Sequence, residues 1–397
     1  MKRHRVAICV DGLGDSWLGG VNYFRNLIKA FDAAKPENLE LFVLTDNASF
    51  LSGDVLSEHV HVIELPMMRW RSLARNFRKA VQHVAGRDLL MLRKLKSLGI
   101  ELVAFSFVAG ADRIGIRCVP WVPDFQSERH PEFYSPDMVE AERKRTRMYL
   151  ADAGRLIVSS ESARADAQKY FGAGPERVDV VSFAPRVDDA DVCSARARDE
   201  VLATHAIDRP YLFLPNQYWR HKNHFVVARA LAALKRDGAT AAELPLIIST
   251  GNTEDHRNPE HFPEFQAFLR DNGLDANYRI LGIIPRGDML ALLAHCAGLI
   301  NPSLFEGWSS TVEEAKALGK SLIVSDIPVH REQVRHEPSA VIFDPHDPEA
   351  LARLLREAAP RTASFDAYGC RPRPQLHEAF TKNYIAMLNR LVTRPTP

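Results

Sequence analysis

The chain has 397 residues, with 51 Lys and Arg against 50 Asp and Glu and a hydrophobic fraction of 46%. That length supports two domains with full cores, and the balanced charge argues against a nucleic-acid partner. Five cysteines (Cys9, Cys118, Cys193, Cys296, Cys370) are scattered singly, which points to a reducing compartment rather than a disulfide framework or a structural zinc site. The opening apolar run is too short for a signal peptide, and no stretch approaches the roughly 18 apolar residues of a membrane span. A cytoplasmic protein is expected.

Short apolar runs alternate with longer amphipathic ones, the pattern of βα units around parallel sheets. In the first half the spacing predicts strands at 5–10, 41–45, 60–65, 101–105, 117–122, 156–159 and 178–183. In the second half it predicts them at 211–215, 246–250, 279–281, 299–301, 321–325 and 340–343. The polar stretch 186–208 reads as a linker between a domain at 1–185 and another at 209–375. Residues 376–397 read as a C-terminal helix free to pack back on the first domain. Ligands of open α/β sheets bind outside the carboxyl ends of the strands, so the loops there carry the candidate residues.

The first such loop, "DGLGDSWLGG" at 11–20, does not make the G-x-G-x-x-G dinucleotide fingerprint, because position 17 is Trp. The Gly19-Gly20 pair before a helix still allows close backbone approach to a ligand, with a plain βα turn as the alternative. Residues 67–99 hold nine Lys and Arg and one acid, Asp88, with Trp70, Leu73, Phe77 and Val81 at helical spacing. This amphipathic basic stretch suits an anionic membrane surface, or equally a core stripe backed by solvated charge. Asp124, in the loop after 117–122, is a candidate for an acceptor hydroxyl or for capping a turn. Ser160-Glu161 also follows a strand but is a weak signal. Asp189 and Asp191 have D-x-D spacing, but in a polar linker they read as solvated charge.

In "NQYWRHKNH" (216–224), Arg220 and Lys222 place cations after a strand, where they can stabilise a departing diphosphate. His221 and His224 lack a third ligand nearby, so no metal or other cofactor is expected. Gly251 and the 282–284 backbone, including Ile284, follow two further strands and could approach a diphosphate and a base. The richest stretch is "INPSLFEGWSSTVEEAKALGKSLIVSD" (300–326). Ser310 or Thr311 is predicted as the N-cap of a short helix, with Glu313 and Glu314 three residues on in capping-box spacing. Such a helix end attracts phosphate. Glu306 before it and Glu314 on its face flank the same end, as a ligand with ribose, diphosphate and hexose would require.

This segment resembles the E-x7-E signature of the retaining glycosyltransferases of family four, and the order of the loops resembles that family along most of the chain. The resemblance implies an α/β GT-B fold, two Rossmann-like domains facing each other across a cleft. It also implies a metal-independent enzyme moving a hexose from a nucleotide-sugar to a saccharide or lipid-linked saccharide in surface-polysaccharide synthesis. By the same resemblance Glu306 contacts the transferred sugar and Glu314 the ribose. Lys222 matches the family's lysine and Asp124 its acceptor-side aspartate. Donor contacts fall on Arg220, Gln217, Gly19, Gly20, Gly251, Ile284, Ser309, Ser310 and Thr311. Three departures stand out: Gln217 where the family has Arg, Pro123 where it has His, and Ser309-Ser310-Thr311 where many members have Gly-Leu-Pro. GDP-mannose is the expected donor, with a UDP-hexose or dTDP-rhamnose behind it. A non-catalytic nucleotide-sugar-binding partner subunit is the alternative.

Overall fold

The computed structural model describes residues 3–10, 18–186, 193–255, 257–358 and 365–393. The chain divides into two compact units, one of residues 1–128, 136–183 and 377–397, the other of residues 129–135 and 184–376.

The first unit is built on a parallel sheet of β1 (His4–Val10), β2 (Leu39–Thr45), β3 (Val60–Glu64), β4 (Leu102–Phe105) and β5 (Arg117–Pro120), in the order β3-β2-β1-β4-β5. β1 and β4 read as continuous apolar runs because helices cover both faces of a parallel sheet. Val6, Ala7, Ile8, Val103 and Ala104 are fully buried. Two shorter parallel strands, β6 (Leu156–Val158) and β7 (Val178–Val180), form a separate pair. β5 stops at Pro120, earlier than the sequence suggests. Trp121 leaves the first sheet to bridge Ile157, and Val122 N donates to Ile157 O at 2.9 Å. The helix Pro374–Thr393 completes this unit through residues 377–397. Its Tyr384 and Leu388 are fully buried, Asn389 accepts from Asn38 Nδ2 at 2.7 Å, and the Val392 carbonyl accepts from Arg117 Nη1 at 2.7 Å.

The second unit carries β8 (Tyr211–Leu214), β9 (Leu246–Ser249), β10 (Tyr278–Ile280), β11 (Gly298–Asn301), β12 (Leu322–Ser325) and β13 (Ala340–Phe343). They form one parallel sheet in the order β10-β9-β8-β11-β12-β13. All thirteen strands thus lie where the apolar runs predict them, with ends shifted by a few residues. The stretch read as a linker is not purely one: it contains the helix Ala195–Thr204, whose Val201 and Leu202 are buried in the core of this unit. Arg196, Asp199 and Glu200 face outward and mask the apolar pair in the composition.

The cysteine reading needs a correction as well. Cys193 and Cys370, 177 residues apart, are joined as a disulfide with Cα atoms 5.8 Å apart. The segments on either side of the helix Ala195–Thr204 and of Phe365 share one core, which sequence spacing does not reveal.

Candidate active site

In the second sheet the strand order reverses at β8, which pairs with β9 on one side and β11 on the other. Loops leaving β8 and β11 therefore diverge, and ligands of such sheets sit at this switch point. The two loops are tied together. Leu304 N donates to His221 O at 2.7 Å, and Asn223 Nδ2 donates to Pro302 O at 3.1 Å and Pro345 O at 2.9 Å. Asn223 sits at φ 54°, a left-handed backbone that Asn tolerates better than most residues. At the strand ends Asn216 Nδ2 donates to Asn301 Oδ1 at 3.1 Å.

This lashing brings Lys222 to Glu306, Nζ to Oε1, at 2.7 Å. The pair is largely withdrawn from water, the side chains 15% and 8% exposed. The Ser303 hydroxyl lies 2.7 Å from both Glu306 Oε1 and Asn301 Oδ1, so its one proton can serve either. Burial pushes the Glu306 pKa up, but the Lys222 ammonium and weaker partners outweigh it, leaving the carboxyl below its usual range. Glu306 is therefore an ionised, oriented carboxylate at neutral pH.

The helix after this loop, Ser310–Ala317, is capped by Ser309, not by Ser310 or Thr311 as the sequence suggests. Asn301 Nδ2 donates to Ser309 Oγ at 2.8 Å and holds it in place, and Ser309 Oγ accepts from Val312 N at 3.5 Å. Thr311 Oγ1 lies 3.2 Å from Ser309 Oγ, and Ser310 occupies the first helical position. Neither glutamate closes a capping box. Glu313 is buried against Lys316 (2.9 Å) and accepts from Gln333 Nε2 (2.9 Å), with burial the main cause of its raised pKa. Glu314 Oε1 accepts from Arg286 Nη2, whereas Glu314 Oε2 is buried without a partner.

Two more buried polar atoms around the switch point lack partners: Gln217 Oε1 and His330 Nε2. His330 is fully buried, and burial lowers its pKa to about 4, so its ring is neutral at pH 7. Ser325 Oγ gives its proton to Ser303 O, so the 3.0 Å contacts of His330 Nδ1 with Ser325 place the ring proton on Nδ1. His330 Nε2 is then a bare acceptor. Buried orphans of this kind call for an explanation, and a polar ligand is one.

Gly251 sits at φ +140°, and a Cβ there would lie 2.6 Å from Asn216 O and 2.8 Å from Gln217 Cα. Glycine thus lets the loop after β9 touch the loop after β8. Gln217 O accepts from His224 Nε2 at 3.1 Å, and His224 Nδ1 accepts from Tyr278 OH at 2.8 Å. His224 is a satisfied core histidine, its pKa lowered to about 3 by burial. Ile284 packs its side chain half-buried against the core.

Arg220 is exposed, its guanidinium 5.7 Å over the Phe133 ring, in the 129–135 segment of this unit. Asp124, Gly19 and Gly20 belong to the first unit. Asp124 Oδ1 accepts from Gln126 N at 2.9 Å, a turn cap, and Gly19 and Gly20 fall inside the first turn of the helix Leu18–Ala34 rather than before it. Residues 11–17, with the rest of the glycine loop, and Asp189 and Asp191 lie outside the described residues. Among the described residues no three His, Cys, Asp or Glu side chains gather as a metal site.

Sequence reasoning missed Arg286, Ser303, Asn301, Gln333 and His330. Asn301 and Ser303 are the polar residues of "NPS" at a strand end, a readable signal. Arg286 and His330 carry none, because each reaches the site from a separate loop or helix.

A parallel-sheet unit with an ion pair and a helix N-terminus at its switch point carries its polar groups where open α/β sheets bind their ligands. Residues 198–360, within the second unit, match the family profile of glycosyl transferases group 1. A D-inositol 3-phosphate glycosyltransferase of Salinispora tropica is 33% identical over 222 residues, 53% of this chain and 45% of that protein. The chain thus spans about half the length of the curated relatives it matches. The Anabaena HepE structure with UDP and glucose superposes with a TM-score of 0.67 over 99% of this chain and all of that one, at 15% identity. WaaG, a glycosyltransferase involved in lipopolysaccharide biosynthesis, superposes with a TM-score of 0.57 over 98% and 96%, at 16% identity. The chain has the two-domain α/β GT-B fold of these structures.

Proposed function

We propose that the chain is a retaining glycosyltransferase that moves a hexose from a nucleoside-diphosphate sugar to a hydroxyl of a saccharide or lipid-linked saccharide, on the cytoplasmic side. The single observation that carries this reading is the buried Lys222–Glu306 pair at the switch point of a group 1 domain. The diphosphate would lie on the N–H groups that open the helix Ser310–Ala317, favoured by its dipole. Lys222 would neutralise charge accumulating on the leaving phosphate. Glu306, ionised beside the sugar, would orient its hydroxyls and stabilise positive charge developing at the anomeric carbon. The acceptor hydroxyl would attack the face from which the diphosphate leaves, its proton passing to the leaving phosphate oxygen. Glu314 Oε2 is a free acceptor for a ribose hydroxyl. No step in this scheme needs a metal.

GDP-mannose is the donor we favour, with a UDP-hexose or dTDP-rhamnose as the other options, and surface polysaccharide as the product. A second reading, an inositol phosphate acceptor, is favoured by the name of the Salinispora relative. The test is calorimetric titration of GDP, UDP and dTDP, each with EDTA, into the wild type and Glu314→Ala. One nucleotide should bind, with affinity at least about tenfold lower in the variant, the loss of one good hydrogen-bond acceptor. A folded protein that binds none of the three would overturn the transferase reading.

A further inference from the structure

The helix Leu73–Ala85 is mounted with its apolar stripe outward. Leu73, Phe77, Ala80 and Val84 fall on one face at helical spacing. That face is in solvent: Leu73 and Val84 are 88% exposed and Phe77 is 62% exposed. The opposite face holds Arg78, buried, donating to Asp88 from Nε at 2.9 Å and from Nη2 at 2.6 Å. Asp88 in turn accepts from Met91 N at 3.3 Å at the start of the next helix. This buried pair fixes the rotation of the helix about its axis. Just before it stands Trp70, 64% exposed, with the Arg75 guanidinium 4.4 Å over its ring.

Charge surrounds the stripe. Of the nine Lys and Arg in residues 67–99, Arg78 uses the one acid of the stretch, Asp88, and among the described residues none of the other eight pairs with a carboxylate. No described helix is long and apolar enough to cross a membrane, and this one, at 13 residues, is about 20 Å long.

We propose that this face docks on a bilayer surface carrying anionic lipid headgroups. The helix lies in the interface with Leu73, Phe77 and Val84 among the upper acyl chains. Trp70 sits at headgroup level, and the uncompensated cations lie against the lipid charge. A second copy of the chain is a poorer occupant, because an isologous contact would set the same cations face to face.

The experiment is co-sedimentation with phosphatidylcholine vesicles, pure or with about 30% phosphatidylglycerol. The proteins compared are the wild type, Leu73→Ser/Phe77→Ser/Val84→Ser and Arg69→Gln/Arg71→Gln/Lys79→Gln. All six side chains are exposed, so circular dichroism should show unchanged folding. The wild type should bind the anionic vesicles at least about tenfold more tightly than the neutral ones, and each triple variant should lose at least about tenfold. Failure of the wild type to bind anionic vesicles, or binding that the stripe variant leaves intact, overturns the proposal. So does self-association that the stripe variant abolishes without any vesicle binding. Vesicle binding requires no donor, so its outcome is independent of whether the second unit binds a nucleotide.

Discussion

Replacing Lys222 by Met keeps most of the stem and removes the charge, leaving the Glu306 carboxylate buried with Ser303 as its remaining polar partner. An uncompensated buried charge costs about 3–5 kcal/mol. In the wild type the folded pKa of Glu306 lies below its unfolded value, roughly 4.3 for a free glutamate. Its contribution is therefore fully present above the unfolded pKa and is lost as pH falls through the folded one. In Lys222→Met, burial acts without that opposing charge and the folded pKa rises above the unfolded one. The variant's deficit should then be largest near neutral and alkaline pH and shrink as both carboxyls protonate in acid. Urea denaturation at about pH 8 and about pH 4 should show this convergence. The double variant Lys222→Met/Glu306→Gln, with no charge left, should recover to within about 1 kcal/mol of the wild type at the higher pH. A deficit in the single variant that does not change with pH, or a double variant no more stable than the single, would mean that Lys222 does not compensate a buried Glu306 charge.

Gly251→Ala should destabilise by about 2–5 kcal/mol, combining a Cβ forced against Asn216 O with a positive φ, and thermal unfolding measures it. A loss under about 0.5 kcal/mol would mean that the loops after β8 and β9 separate freely. Thiol titration in denaturant should find three reactive cysteines without reductant, Cys9, Cys118 and Cys296, and five with it. Five in both conditions would show that Cys193 and Cys370 are not joined.

The strands were legible because a parallel sheet buries both faces, so β1 or β8 appears as an unbroken apolar run whatever surrounds it. Glu306 and Lys222 stood out as candidates because each lies just after a strand end, and Glu314 because it lies on the helix that follows in the same segment, where a motif keeps its spacing. What escaped is what depends on separate segments meeting. His330 and Arg286 reach the site from elements whose local pattern is ordinary. The Ser309 cap was hidden by two equally good hydroxyls beside it, and the partners that hold Ser309, Asn301 on its hydroxyl and Gln333 on its backbone, come from other positions. Helical period identified the stripe of Leu73 and Phe77 but not its direction, because periodicity is the same whether a face points in or out. The outward mounting follows from one buried pair, Arg78 with Asp88, ten residues apart.

The first unit takes its last helix from residues 377–397. On the ribosome, the strands made first must therefore wait for the whole second unit to be synthesised before Tyr384 and Leu388 can close their core. Until then Tyr23 and Phe105 lack the ring of Tyr384 near them, and Arg117 lacks the Val392 carbonyl. Truncation or stalling at residue 376 would leave the first unit unfinished while the second is whole. Of the two units, the one whose translation begins first is completed last.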